Sequence, residues 1–317
     1  MKIKISVILT VHNVEKYIKE TILSLVNQNF TDYEIIVLDD GSVDKTFSLA
    51  KKYSDNFSFI KLHSLSGVRG GKLRDEGFKL SKGEYVIFLE GGDIFHEDFL
   101  YKMYEKIKTE KADICICNTL EFLGNKKNVL RRYFHHSIPY SWAWDKMIKR
   151  TLIENNKIVF SSLNSANYLL FTSIAYFLAK KIVRIDDYFV YKRIRDDFLT
   201  SSRNDENIFE ALLELKENLE KRQIASSFED NFKIIAMQSV VRYYNAIKEK
   251  NKRYVIFKAI KEYEKDFKVL SLEKIEKEYL LDYQIYKKAV LTNSFLSFIL
   301  QTKFLNFKKK NSKYETC

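Results

Sequence analysis

The chain has 317 residues with 46% hydrophobic and 30% charged residues, enough for one large domain with an appendage or for two domains, and such a composition excludes a disordered chain. A single proline, Pro139, and nine glycines exclude an all-β chain built from tight turns, and no run of residues approaches the ~20 consecutive apolar positions that span a bilayer. Fifty-four Lys and Arg against 42 Asp and Glu leave a net charge of +12, which favours an anionic partner, whether nucleotide, nucleic acid or membrane surface.

The first predicted element is a buried strand over residues 3–9, and its run is too short and lacks the small-residue cleavage site of a signal peptide. The loop Thr10, Val11, His12, Asn13 follows it. Tyr17, Ile18, Ile22, Leu25 and Val26 then recur at helical spacing until the polar segment 27–32. Residues 34–38 form a second strand, which ends in Asp39, Asp40, Gly41 and Ser42. A helix over about 44–53, a third strand over 58–63, a loop with Gly67, Gly70 and Gly71, and a helix over 72–80 come next. The fourth strand, 84–89, stops abruptly at Glu90-Gly91-Gly92-Asp93. Four strand-helix alternations in under a hundred residues predict a parallel sheet covered on both faces.

Right-handed crossovers bring the loops after these strands onto one rim, where open α/β sheets bind ligands. There Asp40 can accept from a base or ribose. Arg69, Lys72 and Arg74 can neutralise phosphates, and Glu90 with Asp93 can hold a divalent cation. Each residue also has a plainer reading: Asp40-Gly41-Ser42 as a helix cap, Arg74 as a surface ion-pair partner, His12 as a loop histidine, and Glu90 to Asp93 as an acidic turn. Gly67, Gly70 and Gly71 do not make a P-loop. Cys115 and Cys117 on a strand, with Cys317 at the end, make neither a disulfide framework nor a metal spacing, so a reducing, cytoplasmic compartment is expected.

The segments 6–13, 28–46 and 83–89 resemble the N-terminal domain of family 2 inverting glycosyltransferases, of GT-A fold, with residues 39–46 the most specific part. The resemblance covers about residues 3–200 and is nearest to bacterial enzymes that act on lipooligosaccharide, capsule or related surface glycans. It implies transfer of a sugar from a nucleotide diphosphate donor, with Mn²⁺ or Mg²⁺ held by an Asp-x-Asp motif. Thr10, His12, Asn13, Asp39, Asp40, Lys72 and Arg74 would lie around the nucleotide, and Glu90 and Asp93 at the metal. Two departures from the pattern stand out. Gly92 stands where the principal metal-binding aspartate is expected, and Asn167 where the general base is expected; an amide has no basic lone pair at neutral pH. Asp186, Asp187, Asp196 and Asp197 are nearby acids, with Asp197 kept as the substitute base and exposed loop acids as the alternative. Trp142 and Trp144 fall in the acceptor-side segment, where they would stack on a sugar or form part of a half-buried strand. His135 and His136 lack a partner at ligand spacing.

Beyond about residue 204 only helical periodicity appears, which predicts a domain over 1–203 and a helical region over 204–317. Phe and Leu are interspersed with lysine in residues 295–317, five Lys against one Glu, a composition suited to an anionic membrane interface or to dimer packing. The basic residues are dispersed without a recognition motif, so nucleic acid is not expected. The expectation is therefore a mixed, mainly parallel GT-A sheet with a helical C-terminal region. It would move a sugar from a UDP-linked donor to a glycan or lipid-linked glycan, in the cytoplasm or on the inner face of the membrane. The alternative is a catalytically weakened GT-A domain that binds nucleotide or glycan, or scaffolds a partner.

Overall fold

The computed structural model describes residues 2–65, 67–68, 70–124, 126, 128–133, 142–163, 166–194, 207–247, 250–272, 275 and 279–299. It divides into two compact units, Met1–Ser201 and Ser202–Cys317.

In the first unit the strands β1 (Ile5–Val11), β2 (Tyr33–Asp39), β3 (Ile60–Ser64) and β4 (Tyr85–Glu90) pair in parallel in the order β3-β2-β1-β4. They are joined by α1 (Ile18–Val26), α2 (Thr46–Asn56) and α3 (Gly70–Leu80). Near-continuous apolar runs suit strands that are buried on both faces. Val7, Leu9, Ile35, Val37, Ile87 and Leu89 pack in one core with Ile18, Ile22 and Leu25 of α1. The alternate residues Ile8 and Leu38 face α3. A Cβ at Gly77 would come within 2.6 Å of both their side chains, so glycine there lets the helix settle on the sheet.

The chain continues through β5 (Ile94–Phe95), α4 (Phe99–Thr109), β6 (Ile114–Leu123), β7 (Val129–Tyr133), β8 (Lys146–Lys149), α5 (Arg150–Asn155), α6 (Asn167–Leu178) and β9 (Ile182–Ile194). The sheet extends as β4-β8-β6-β9-β5, with β7 on the side of β6. β8 is antiparallel to both β4 and β6, and β9 is parallel to β6, which makes the sheet mixed. Phe88 on β4 meets Phe171 of α6 edge-on at 5.1 Å, which covers the α3 face.

Two pairings position the site. Thr10 lies opposite both Leu38 and Glu90, so the ends of β1, β2 and β4 are level. β5 begins immediately after the Glu90–Asp93 turn and runs antiparallel to β9, with Ile94 opposite Tyr191, which draws the end of β9 against that turn.

The strand reading of Trp142 and Trp144 is corrected: both precede β8 and lie outside any strand, Trp144 in a turn. The cause is a buried polar knot. Lys146 Nζ donates to Trp142 O and to Asp145 Oδ1, both at 2.7 Å, and Trp142 Nε1 donates to Asp145 Oδ2. Charges buried this deeply persist only when paired, and the pairing folds the segment back on itself.

The second unit is helical: α7 (Ile208–Lys221), α8 (Glu229–Ala246), α9 (Lys250–Phe267) and α10 (Leu280–Leu291). Phe209 stacks on Tyr263 at 4.6 Å and Phe232 meets Phe267 at 5.9 Å, tying α7 and α8 to α9. Among the described residues no helix is long and apolar enough to cross a membrane. The basic aromatic stretch lies outside the described residues from position 300 onward.

Candidate active site

The loops after β1 and β2 are latched to one another. Asn13, at φ 47°, accepts from Val43 N at 2.9 Å through Oδ1, and its backbone N–H donates to Ser42 Oγ at 3.0 Å. The carbonyl of Asp40 can only accept, so the His12 Nδ1 that lies 2.9 Å away carries the proton, and Nε2 accepts from Asn13 Nδ2. Val14 N donates to Thr46 Oγ1, and Asp44 accepts from Glu15 N and Thr46 N. Through these bonds Asn13, Asp44 and Thr46 fasten the loops after β1 and β2 to one another. Asp39 is 2% exposed: Oδ2 accepts from Ser42 N at 3.0 Å, while Oδ1 is buried without a donor among the described residues. Asp40 is half-exposed at the mouth, Thr10 is half-buried with its hydroxyl 3.4 Å from Leu89 O, and Lys72 is exposed on α3.

The acidic corner after β4 is full. Glu90 Oε1 accepts from Arg74 Nη2 at 3.1 Å and from Tyr168 OH at 2.8 Å, and Oε2 from Lys192 Nζ at 2.5 Å. Asp93 Oδ2 accepts from the same Lys192 Nζ at 3.0 Å, and Oδ1 from Arg193 N at 3.1 Å. Burial alone would raise the Glu90 pKa, but Lys192 and Arg74 outweigh it and hold the carboxyl well below the usual range. Asp93 is pushed up to about 6 by burial, which Lys192 only partly opposes while the charge of Glu90 adds to it. Lys192 stays protonated, because the two carboxylates raise its pKa against the cost of burial. All four carboxylate oxygens therefore have donors, Gly92 has no side chain to ligate with, and no group of three His, Cys, Asp or Glu able to hold a metal occurs among the described residues. As arranged, this donor set does not fit the divalent cation expected at Glu90 and Asp93.

Arg74, 7% exposed, links that corner to Asn167. Nη1 donates to Asn167 Oδ1 at 3.3 Å and to Gly70 O at 3.0 Å, and the guanidinium lies 4.1 Å above the Tyr168 ring. Asn167, also 7% exposed, opens α6 and donates through Nδ2 to Leu163 O at 3.4 Å. Trp142 is buried and stacked on Trp144 at 5.1 Å. Trp144 is half-buried, its ring 4.2 Å from Lys192 Nζ, and its Nε1 is buried with no acceptor among the described residues.

The structure thus brings Arg74, Glu90, Asp93, Asn167 and Trp144 together, with Trp142 behind Trp144, and keeps His12, Asn13, Asp39 and Asp40 as a separate cluster on the rim. Asp186 and Asp187 are exposed on β9. Arg69, His135, His136, Asp196 and Asp197 lie outside the described residues. Sequence reasoning missed Lys192, Arg193 and Tyr168. The available signal was a Lys-Arg pair inside the otherwise apolar and aromatic run Phe189-Val190-Tyr191-Lys192-Arg193-Ile194, since cations in a strand's interior need partners.

The model of the family described as "Glycosyl transferase family 2" matches residues 6–168. The chain is 33% identical to a Staphylococcus aureus poly(ribitol-phosphate) beta-N-acetylglucosaminyltransferase, TarP, over 63% of this chain and 65% of that one. It is 28% identical to a cholesterol galactosyltransferase of Borreliella burgdorferi over 63% of each. It therefore spans a little under two thirds of the length of both relatives. Among solved structures, residues 1–349 of S. aureus TarS in complex with UDP-GlcNAc align with TM-score 0.57 and 21% identity, over 90% of this chain and 81% of that one. A mannosyltransferase from Pyrobaculum calidifontis in complex with GDP-Man and Mn²⁺ aligns with TM-score 0.52 and 12% identity, over 92% and 88%. The fold is the expected GT-A arrangement.

Proposed function

We propose, from the premise that the chain belongs to glycosyl transferase family 2, that it moves a sugar from a nucleotide diphosphate donor, UDP-linked, to a bacterial surface-glycan acceptor with inversion at the anomeric carbon. The observation that carries this reading is the latched rim, in which the loops after β1 and β2 hold one another and leave Asp40 half-exposed beside His12. A carboxylate there accepts from a base or ribose, and the paired loops fix its position before the ligand arrives. Both relatives are named as sugar transferases, and the TarS structure contains UDP-GlcNAc, which supports a UDP-linked donor. A glycan carried on lipid at an anionic membrane, on its cytoplasmic face, suits the net charge of +12 and the basic aromatic stretch 295–317.

Inverting displacement requires a base to take the acceptor hydroxyl's proton as the bond between the anomeric carbon and the diphosphate breaks. Asn167 cannot do so. Its amide oxygen holds Arg74, and Arg74 in turn holds Glu90, so Asn167 is a positioning residue. Asp197 is the substitute base in this reading. The second reading, a domain that binds nucleotide or glycan with little turnover, is favoured by the amide at position 167. Calorimetry with UDP and GDP, followed by a donor-hydrolysis assay, separates the two. UDP binding with sugar release above background supports transfer, and binding without release supports the second reading. Failure of both nucleotides to bind overturns transfer and leaves the second reading only as a glycan-binding domain.

A further inference from the structure

We infer that the Lys192 ammonium takes the place of the divalent cation at the Glu90–Asp93 corner, so that the corner rejects a metal and the donor binds without one. Within the donor pocket the inference rests on the function proposed above, but its metal-binding arm stands by itself.

The geometry is specific. Nζ lies 2.5 Å from Glu90 Oε2 and 3.0 Å from Asp93 Oδ2, which places one cation between the two carboxylates available to a metal. Its remaining face is directed at the Trp144 ring at 4.2 Å, and its side chain is 12% exposed, so it is packed in rather than swinging in solvent. The other oxygens of the two acids are taken by Arg74, Tyr168 and Arg193 N. Two negative carboxylates beside Lys192 and Arg74 form a neutral set. A dication entering it would displace Lys192 from both acids and stand beside the released ammonium in a buried setting, where like charges repel strongly.

The placement is fixed by the backbone. β9 pairs with β6, Lys192 opposite Glu121, and with β5, Tyr191 opposite Ile94, so position 192 falls beside the turn whatever side chain it carries. Gly92 completes the logic. The turn has lost its central ligand, and a fixed ammonium needs two acceptors, where a divalent cation needs several more oxygens.

The test measures Mn²⁺ binding by electron paramagnetic resonance and calorimetry on the full chain and on Lys192→Met, which keeps the packing on Trp144 and removes the charge. The wild-type protein is expected to bind no Mn²⁺ at millimolar concentration, and Lys192→Met to bind it at least tenfold more tightly. Wild-type binding that Glu90→Gln abolishes overturns the inference, as does a folded Lys192→Met that binds no better than wild type. If Lys192→Met does not fold, Lys192→Gln, which can still donate to both acids, carries the same comparison. In the nucleotide arm, UDP affinity is expected to be equal within twofold in chelator and in Mn²⁺, and a tenfold rise with Mn²⁺ overturns the inference. Absence of UDP binding in both conditions counts against the proposed function alone, and the Mn²⁺ arm then decides whether Lys192 excludes the metal.

Discussion

Gly92 adopts φ 104°, a conformation that side chains with a Cβ enter only with strain, so the glycine that removes the metal ligand also permits the turn. Gly92→Asp is therefore expected to lower stability by about 1–3 kcal/mol, read as a fall in the urea midpoint. Asn167→Asp is expected to fold normally, because Arg74 already lies 3.3 Å from the amide oxygen and would pair with a carboxylate. Under the reading of a domain with little turnover, this single change raises turnover by about 10²-fold or more in a transfer assay, whereas with Asp197 as the base it leaves turnover within about tenfold of wild type. Asp75 offers a pH test away from the corner. Burial raises its pKa from the ordinary 3.8 to about 6, opposed in part by the Phe160 N–H hydrogen bond and by the charges of Lys79 and Arg74. The folded value lies above the unfolded one, so Asp75's stabilising contribution is complete below 3.8 and is lost as pH rises through about 6. Asp75→Asn keeps the acceptor for Phe160 N and is expected to be more stable than wild type near neutral pH, by about 1 kcal/mol after discounting for partial exposure, with the gap closing on acidification.

At the scale of elements, β9 is what completes the site. Arg193, one residue after Lys192, donates to Gly92 O at 2.9 Å and to Gly124 O at 2.7 Å, pairs with Glu20 of α1, and lies over the Tyr17 and Phe122 rings. One side chain thus joins the β4–β5 turn, the end of β6 and α1. Arg193→Ala would leave these carbonyls and Glu20 without their donor, and a loss of ~3 kcal/mol in denaturant unfolding is expected. Lys192→Met should cost less at neutral pH, because burial has already pushed Asp93 up to about 6 and it can take up a proton when the ammonium leaves. The first four strands and their helices were legible because each carries its own apolar period. Trp142 and Trp144 misled because spacing by two is also produced by a turn closed on a buried ion pair, and Asp145-Lys146 gives no local sign of being buried.

Over the whole molecule the net charge of +12 favours association with anionic surfaces. If the acceptor is lipid-linked, as the proposed function has it, the expected outcome is co-sedimentation with vesicles containing anionic lipid that falls away as salt is raised and is absent with neutral vesicles. The sequence by itself determined the order of strands and helices in the first unit and the chemistry offered at the strand ends: the polar segment from Asp39 to Thr46, a glycine at 92 between two acids, and an amide rather than an acid at 167. These are local properties, carried by periodicity and by side-chain chemistry at single positions. Only the tertiary structure decided which cation faces the two acids that remain, Glu90 and Asp93. Glu90 and Lys192 are 102 residues apart, and their contact depends on the register of β9 against β5 and β6, which no local pattern encodes. The turn after β4 was recognisable as an acidic corner from its residues alone; that its charge is already balanced from within became visible once the strands were paired.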